Sequence, residues 1–198
     1  MEKNFKYIVI IVLVLIIGGV LYLAVNKDLF KEKMNSVEVS LVDRGNYGLY
    51  GQNFKNENED GKYNDLNVVV IDNKADFKKF WEEYIRLPNT GGFAVEPEVN
   101  FDENYVVAML QGIKNSGGYY MNNNGVLEGD KTIQVKVSLF TPSSDEANSA
   151  VVSSPYEIIS VKKNVDQDFK QKKLQVLDVN QSDKVVFSGR VMDVLNKY

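Results

Sequence analysis

The chain has 198 residues, 44% of them hydrophobic, 25% charged and 11% aromatic, which is the profile of a folded domain and not of a disordered or collagenous chain. Its formal net charge is −4, and the first 25 residues hold only Glu2, Lys3 and Lys6, so the remainder is slightly more acidic still; this argues against a nucleic-acid partner, which calls for a basic face. The absence of cysteine removes disulfides, thiol catalysis and cysteine lipidation, and the absence of histidine removes the commonest general base and metal ligand.

Residues 7–25 (YIVIIVLVLIIGGVLYLAV) carry no charge. As a helix rising 1.5 Å per residue they reach about 28 Å, close to the hydrocarbon thickness of a bilayer. A cleavable signal would have a shorter apolar core of about 7–15 residues and a small-x-small site. Leu23-Ala24-Val25-Asn26 is a poor site of that kind. The expectation is an uncleaved membrane anchor at 7–25, a cytoplasmic N-terminus at 1–6 and a charged juxtamembrane stalk at 26–35. The short basic start followed at once by the apolar run looks like an export signal, so the rest of the chain is expected outside the cytoplasm, at the cell membrane.

Residues 37–42 (VEVSLV) alternate apolar and polar residues and predict a first strand. A Gly/Asn/Asp/Glu-rich loop is expected over 45–61, with a short strand near Tyr47 and Tyr50. Residues 67–71 (NVVVI) predict a buried strand. Asn73 is then a good N-cap, with Asp76 three residues on as the acid of a capping box. Phe77, Phe80, Trp81, Tyr84 and Ile85 follow at i, i+3, i+4, i+7 and i+8, the buried face of an amphipathic helix that Pro88 ends.

After a loop over 87–100, residues 105–110 (YVVAML) predict a central strand buried on both faces. Two short strands are expected around Asn124-Gly125, the favoured two-residue hairpin turn. Gly129-Asp130 marks another turn, and 132–140 (TIQVKVSLF) alternates as a one-side-buried antiparallel strand should. Strands at 156–161, 174–179 and 184–191 and a short helical end near 192–197 complete the pattern. The fold class is therefore α+β: a mainly antiparallel β domain, a twisted sheet or sandwich, with one amphipathic helix packed on it. The basic clusters Lys162-Lys163 and Lys170-Gln171-Lys172-Lys173 read as solvated faces beside acidic neighbours.

Little points to catalysis. A Ser–Lys dyad lacks a recognisable serine motif, and Glu82, Glu83, Asp102 and Glu103 read as surface acids more readily than as a glycosidase pair. Glu57, Glu59, Asp60 and Asp65 around Gly61 offer oxygens for calcium, but their spacing is not that of an EF-hand. No phosphate-binding glycine motif occurs. No catalytic residue, metal or cofactor is expected. Gly117-Gly118 opens backbone angles closed to other residues, and Tyr119 and Tyr120 follow on opposite faces of a strand, one for the core and one exposed. Pro155, lacking an N–H, belongs at a strand start, with Tyr156 in the core.

Three runs together resemble the PrcB C-terminal domain family of protease-complex subunits. They are Val68-Val69-Val70-Ile71 leading to Asp76-Phe77-Lys78-Lys79-Phe80-Trp81; Tyr105-Val106-Val107-Ala108 leading to Ser116-Gly117-Gly118-Tyr119; and residues 153–161 (SSPYEIISV). The resemblance covers roughly 67–163, within a globular domain expected over 36–163, and leaves 164–198 as an extension read as strands completing the same domain. Where the family has a proline–threonine pair before the two glycines, this chain has Asn115-Ser116. The resemblance implies a non-catalytic envelope domain that associates with or stabilises a protein partner such as a surface protease. The candidate contact residues are Gly117, Gly118, Tyr119, Tyr120, Ser154, Pro155 and Tyr156. The alternative is a protease-inhibitor-like or small-ligand-binding envelope domain.

Overall fold

The structure is a computed structural model that describes residues 32–46, 66–86, 95–112, 114, 116–143, 153–164 and 168–195. The chain divides into two units, Met1–Lys33 and Met34–Tyr198. Of the first, only Glu32 and Lys33 are described, so the anchor expected at 7–25 lies outside the described residues, as do the acidic loop at 57–65 and the strand expected near Tyr47 and Tyr50. Among the described residues, no helix is long and apolar enough to cross a membrane.

The second unit is a β-sandwich with a helix on one side. Among the described residues its nine strands are β1 (Asn35–Val37), β2 (Val39–Asn46), β3 (Leu66–Ile71), β4 (Asn104–Gln111), β5 (Tyr120–Glu128), β6 (Thr132–Phe140), β7 (Pro155–Lys162), β8 (Lys173–Asp178) and β9 (Lys184–Arg190). One sheet has the order β1-β5-β6-β8-β9 and the other β2-β7-β4-β3. All pairings are antiparallel except β6 with β8. Residues 132–140 pair antiparallel with β5, as expected, and parallel with β8, which returns beside β6 after the whole of β7 has been laid in the other sheet.

Two corrections concern strand ends. The single strand expected at 37–42 is two strands in different sheets, β1 and β2, joined at Glu38, and β2 runs on through Gly45 and Asn46 into the stretch expected to be loop. Asn124-Gly125 is not a hairpin turn. It is a bulge inside the continuous strand β5, where the register with β6 shifts between Asn123 and Gly125. Gly125 takes φ +123°, and its N–H is held by Asn123 Oδ1 at 3.1 Å. The hairpin turn would need a positive φ at both residues, whereas here Gly125 alone takes one, and the β6 partners on either side keep the strand continuous.

Helix α1 (Lys74–Phe80) starts where its cap predicts. Asn73 Oδ1 accepts from the Asp76 amide at 2.9 Å, and Asn73 Nδ2 donates to Asp76 Oδ2 at 2.7 Å. Trp81–Arg86 continue it as a wider π-helical turn. Phe77, Phe80, Trp81, Tyr84 and Ile85 all bury against Val69, Ile71, Val106, Ala108 and Ile158 on the outer face of the four-stranded sheet. The opposite face of that sheet, with Val70, Val107, Met109, Ile159 and Val161, packs on Val126, Ile133, Val135, Val137 and Val176 of the other. The four-stranded sheet is thus the middle layer, which is why β3, β4 and most of β7 read as unbroken apolar runs.

Residues beyond 164 belong to this core. Phe169, Leu174, Val176, Val191 and Val194 are buried in it, the last two in the one-turn helix α2 (Val191–Val194). Leu195 forms a parallel bridge with Val70 at the β3 edge. The expectation that residues 170–173 form a solvated cluster fails at Lys172. It is buried, and its Nζ donates to Glu128 Oε1 at 2.6 Å and to the Gly129 carbonyl at 2.7 Å. Lys162, by contrast, is exposed and pairs with Glu38 at 3.0 Å.

Candidate functional site

The two candidate motifs meet. Lys114 and Ser153 form an antiparallel bridge, with amide-to-carbonyl distances of 2.8 and 3.0 Å in the two directions. The Ser153 hydroxyl donates to the Ser116 carbonyl at 2.7 Å, one residue before Gly117-Gly118. Gly118 takes φ +87°, which an L side chain rarely adopts, and so turns the chain into β5. Ser154 is buried, and Pro155 opens β7, as its missing donor predicts.

The two tyrosines after the glycines depart from expectation: neither enters the core. Tyr119 is half-buried and lies beneath Lys114, whose ammonium is 5.5 Å from the ring centroid. Tyr120 is 48% exposed and stacks on Phe140, its partner in β6, with centroids 4.1 Å apart. The core position belongs to Met121. The result is a polar and aromatic rim built from the glycine turn, the heads of β5 and β7 and the end of β6.

Tyr156 is core, as expected, on the helix side of the sheet. Its hydroxyl donates to Asp43 Oδ2 at 2.6 Å, and burial, then that carboxylate, push its ionisation far up. Gly45 is needed opposite: a Cβ there would stand 3.2–3.4 Å from the Tyr156 ring and hydroxyl.

Beside Tyr156 lies a residue that was not singled out in the sequence. Glu157 is fully buried and, by strand alternation with Ile159 and Val161, faces the space between the sheets. Arg44 Nη2 reaches its Oε1 at 2.8 Å while Arg44 Nη1 donates to Asn122 Oδ1 at 2.7 Å. The Asn123 main-chain N–H donates to the same carboxylate. Glu157 Oε2 is buried without a hydrogen-bond partner. A bulge in β2 between Leu41 and Asp43 produces this arrangement. It shifts side-chain parity by one, so that Arg44 faces Glu157 while Asp43 turns to Tyr156 on the other face.

The surface acids weighed for hydrolysis do not converge. Glu82 is paired with Arg86 on the helix, and Asp102 and Glu103 lie in the turn before β4. Among the described residues, no group of three acidic side chains is placed to hold a metal ion. A polar cleft of about 260 Å³, lined by Glu38, Glu128, Asp130, Lys162 and Lys163 among others, lies at the opposite end of the sandwich from the tyrosine rim.

No curated protein and no solved structure matches the chain significantly. A family model does: residues 105–162, from β4 to the end of β7 and including both candidate motifs, match the PrcB C-terminal family.

Proposed function

We propose that this chain is a membrane-anchored, extracytoplasmic interaction module, not itself catalytic, that associates with or stabilises an envelope protein such as a surface protease. Residues 7–25 would be the anchor, 1–6 a cytoplasmic start, 26–35 a stalk, and 36–163 with 164–198 the folded domain. The observation that carries the reading is the joining of Gly117-Gly118-Tyr119-Tyr120 to Ser154-Pro155-Tyr156 at one end of the sandwich, through the Lys114–Ser153 bridge, within the segment that matches the PrcB C-terminal family. Exposed aromatic rings beside a glycine turn are favourable contact material, since aromatic side chains bury large areas with few rotors to freeze.

The test is capture from detergent extracts with the full-length chain as bait, comparing wild type with Gly118→Arg and Tyr120→Ala. A specific partner retained by wild type and lost from both folded variants supports the reading. Identical partner profiles for all three remove this end of the sandwich as the contact. Protease treatment of intact wall-stripped cells tests the topology; survival of the domain while a known surface protein is cut would sink the extracytoplasmic placement.

A further inference from the structure

We propose that the groove between the first turn of α1 and residues 95–101 is a docking site for a basic peptide segment of a protein partner, whose apolar side chains rest on Phe77 and Phe101 and whose Lys or Arg side chains meet Glu96 and Glu98. The groove is separate from the contact surface proposed above: Phe101 leads into the start of β4, whereas the glycine turn follows its other end.

The groove has a volume of about 370 Å³, at the lower end of the usual range for ligand pockets. Its two walls meet where the Phe77 and Phe101 rings lie 5.7 Å apart between centroids, tilted by 52°. Val99 and Phe101 are half-buried against the helix-side core, and Val95, just before the groove, is left 85% exposed. This is an apolar floor with charged walls.

The charge of the walls selects a cation. Around the helix start the other acids are taken, Asp76 by Asn73 and Lys79 and Asp72 by Lys170. Glu96 and Glu98 have no such partner among the described residues. The lining sets these two carboxylates against Lys74 alone. Asp102 and Glu103 follow in an exposed turn, and the nearby Lys163 ammonium is held at the Phe101 carbonyl, 2.5 Å away. The mouth of the groove is therefore negative, which draws and orients a basic partner.

The main chain favours a peptide over a small amine. Among the described residues, the backbone of 95–99 makes no hydrogen bond. Pro97 fixes its own φ near about −65° and biases Glu96 toward extended backbone, a conformation that a second chain can pair with. Exposed carboxylates add little each, so the affinity comes from the floor and from main-chain pairing, while the charges choose the partner.

The probe is a dye-labelled, end-blocked hexapeptide of alternating valine and lysine, titrated by fluorescence anisotropy against the full-length chain in non-ionic detergent. Empty micelles give the background. Saturable binding above that background is expected, with no binding of the counterpart that carries glutamate in place of lysine. The joint change Glu96→Gln with Glu98→Gln should weaken binding about fivefold or more. N-methylation of alternate peptide amides should weaken it severalfold, and these peptide arms carry the test if the double variant does not fold. No saturable binding, equal binding of the two peptides, or an unchanged affinity for the folded double variant overturns the proposal. So does displacement of the peptide by an equal concentration of spermidine, because charge alone would then explain the binding. Tyr120→Ala should leave the affinity unchanged, so a failed capture at the tyrosine rim and a failed groove are separate results.

Discussion

Lys172 and Glu128 form an ion pair of 2.6 Å whose side chains are 3% and 5% exposed. It joins the end of β5 to the segment that precedes β8, and so ties the family-matched part of the chain to the residues beyond it. A buried pair of this kind contributes little against a well-packed apolar replacement, but removing one partner strands the other charge. Lys172→Ala should therefore lower unfolding stability by about 3–5 kcal/mol. The joint change Lys172→Met with Glu128→Leu should recover most of that loss. Urea unfolding of the three proteins checks both statements, and equal losses in the single and double variants would contradict them.

Glu157 gives a stability prediction with a definite sign. Its folded-state pKa is raised, chiefly by burial, against the contacts from Asn123 and Arg44. Its contribution is thus fully present below the ordinary carboxylate range and is lost as pH rises through the folded-state value. Relative to Glu157→Gln, wild type should lose stability on going from acid to neutral pH. Thermal melts of the two proteins across that range measure the difference, and wild type that keeps or gains stability relative to Glu157→Gln as pH rises would refute it.

Gly125 occupies φ +123° with nothing within 4 Å of the position a Cβ would take. Substitution there meets backbone strain and no steric clash. Gly125→Ala should be destabilising by about 1–3 kcal/mol, the usual cost of a side chain in a sparsely populated backbone region. Gly45→Ala differs in kind, because its Cβ would press on Tyr156. It should cost about 1–3 kcal/mol through overpacking and should disturb the Tyr156–Asp43 hydrogen bond, visible in the tyrosine near-ultraviolet spectrum.

Ending the chain at Asn164 would remove β8 and β9, two of the five strands of one sheet, and with them Phe169, Leu174, Val176, Val191 and Val194 from the core. The chain so shortened should not fold. Circular dichroism and exchange protection of the truncated protein test this; a cooperative melt like that of the full chain would disprove it.

The sequence by itself determined the elements whose physics is local. Asn73 and Asp76 place the helix start because a cap is satisfied within three residues. The apolar spacing from Phe77 to Ile85 sets its buried face, and Pro155 sets a strand start. The joining of the glycine turn to the serine–proline segment was not legible, because it is made by the Lys114–Ser153 bridge between residues far apart in the chain. The tertiary structure alone decided which strands share a sheet, that Asn124-Gly125 is a bulge, and that Tyr119 and Tyr120 both stay at the surface. It also decided which charges are buried. Lys172 looks like its solvated neighbours because nothing within a few residues reveals Glu128 across the fold. Glu157 did leave a trace, a lone charge in an apolar run at the parity of Ile159 and Val161. Its partner could not be read, because parity along β2 depends on a bulge, and a one-residue shift chooses between Asp43 and Arg44.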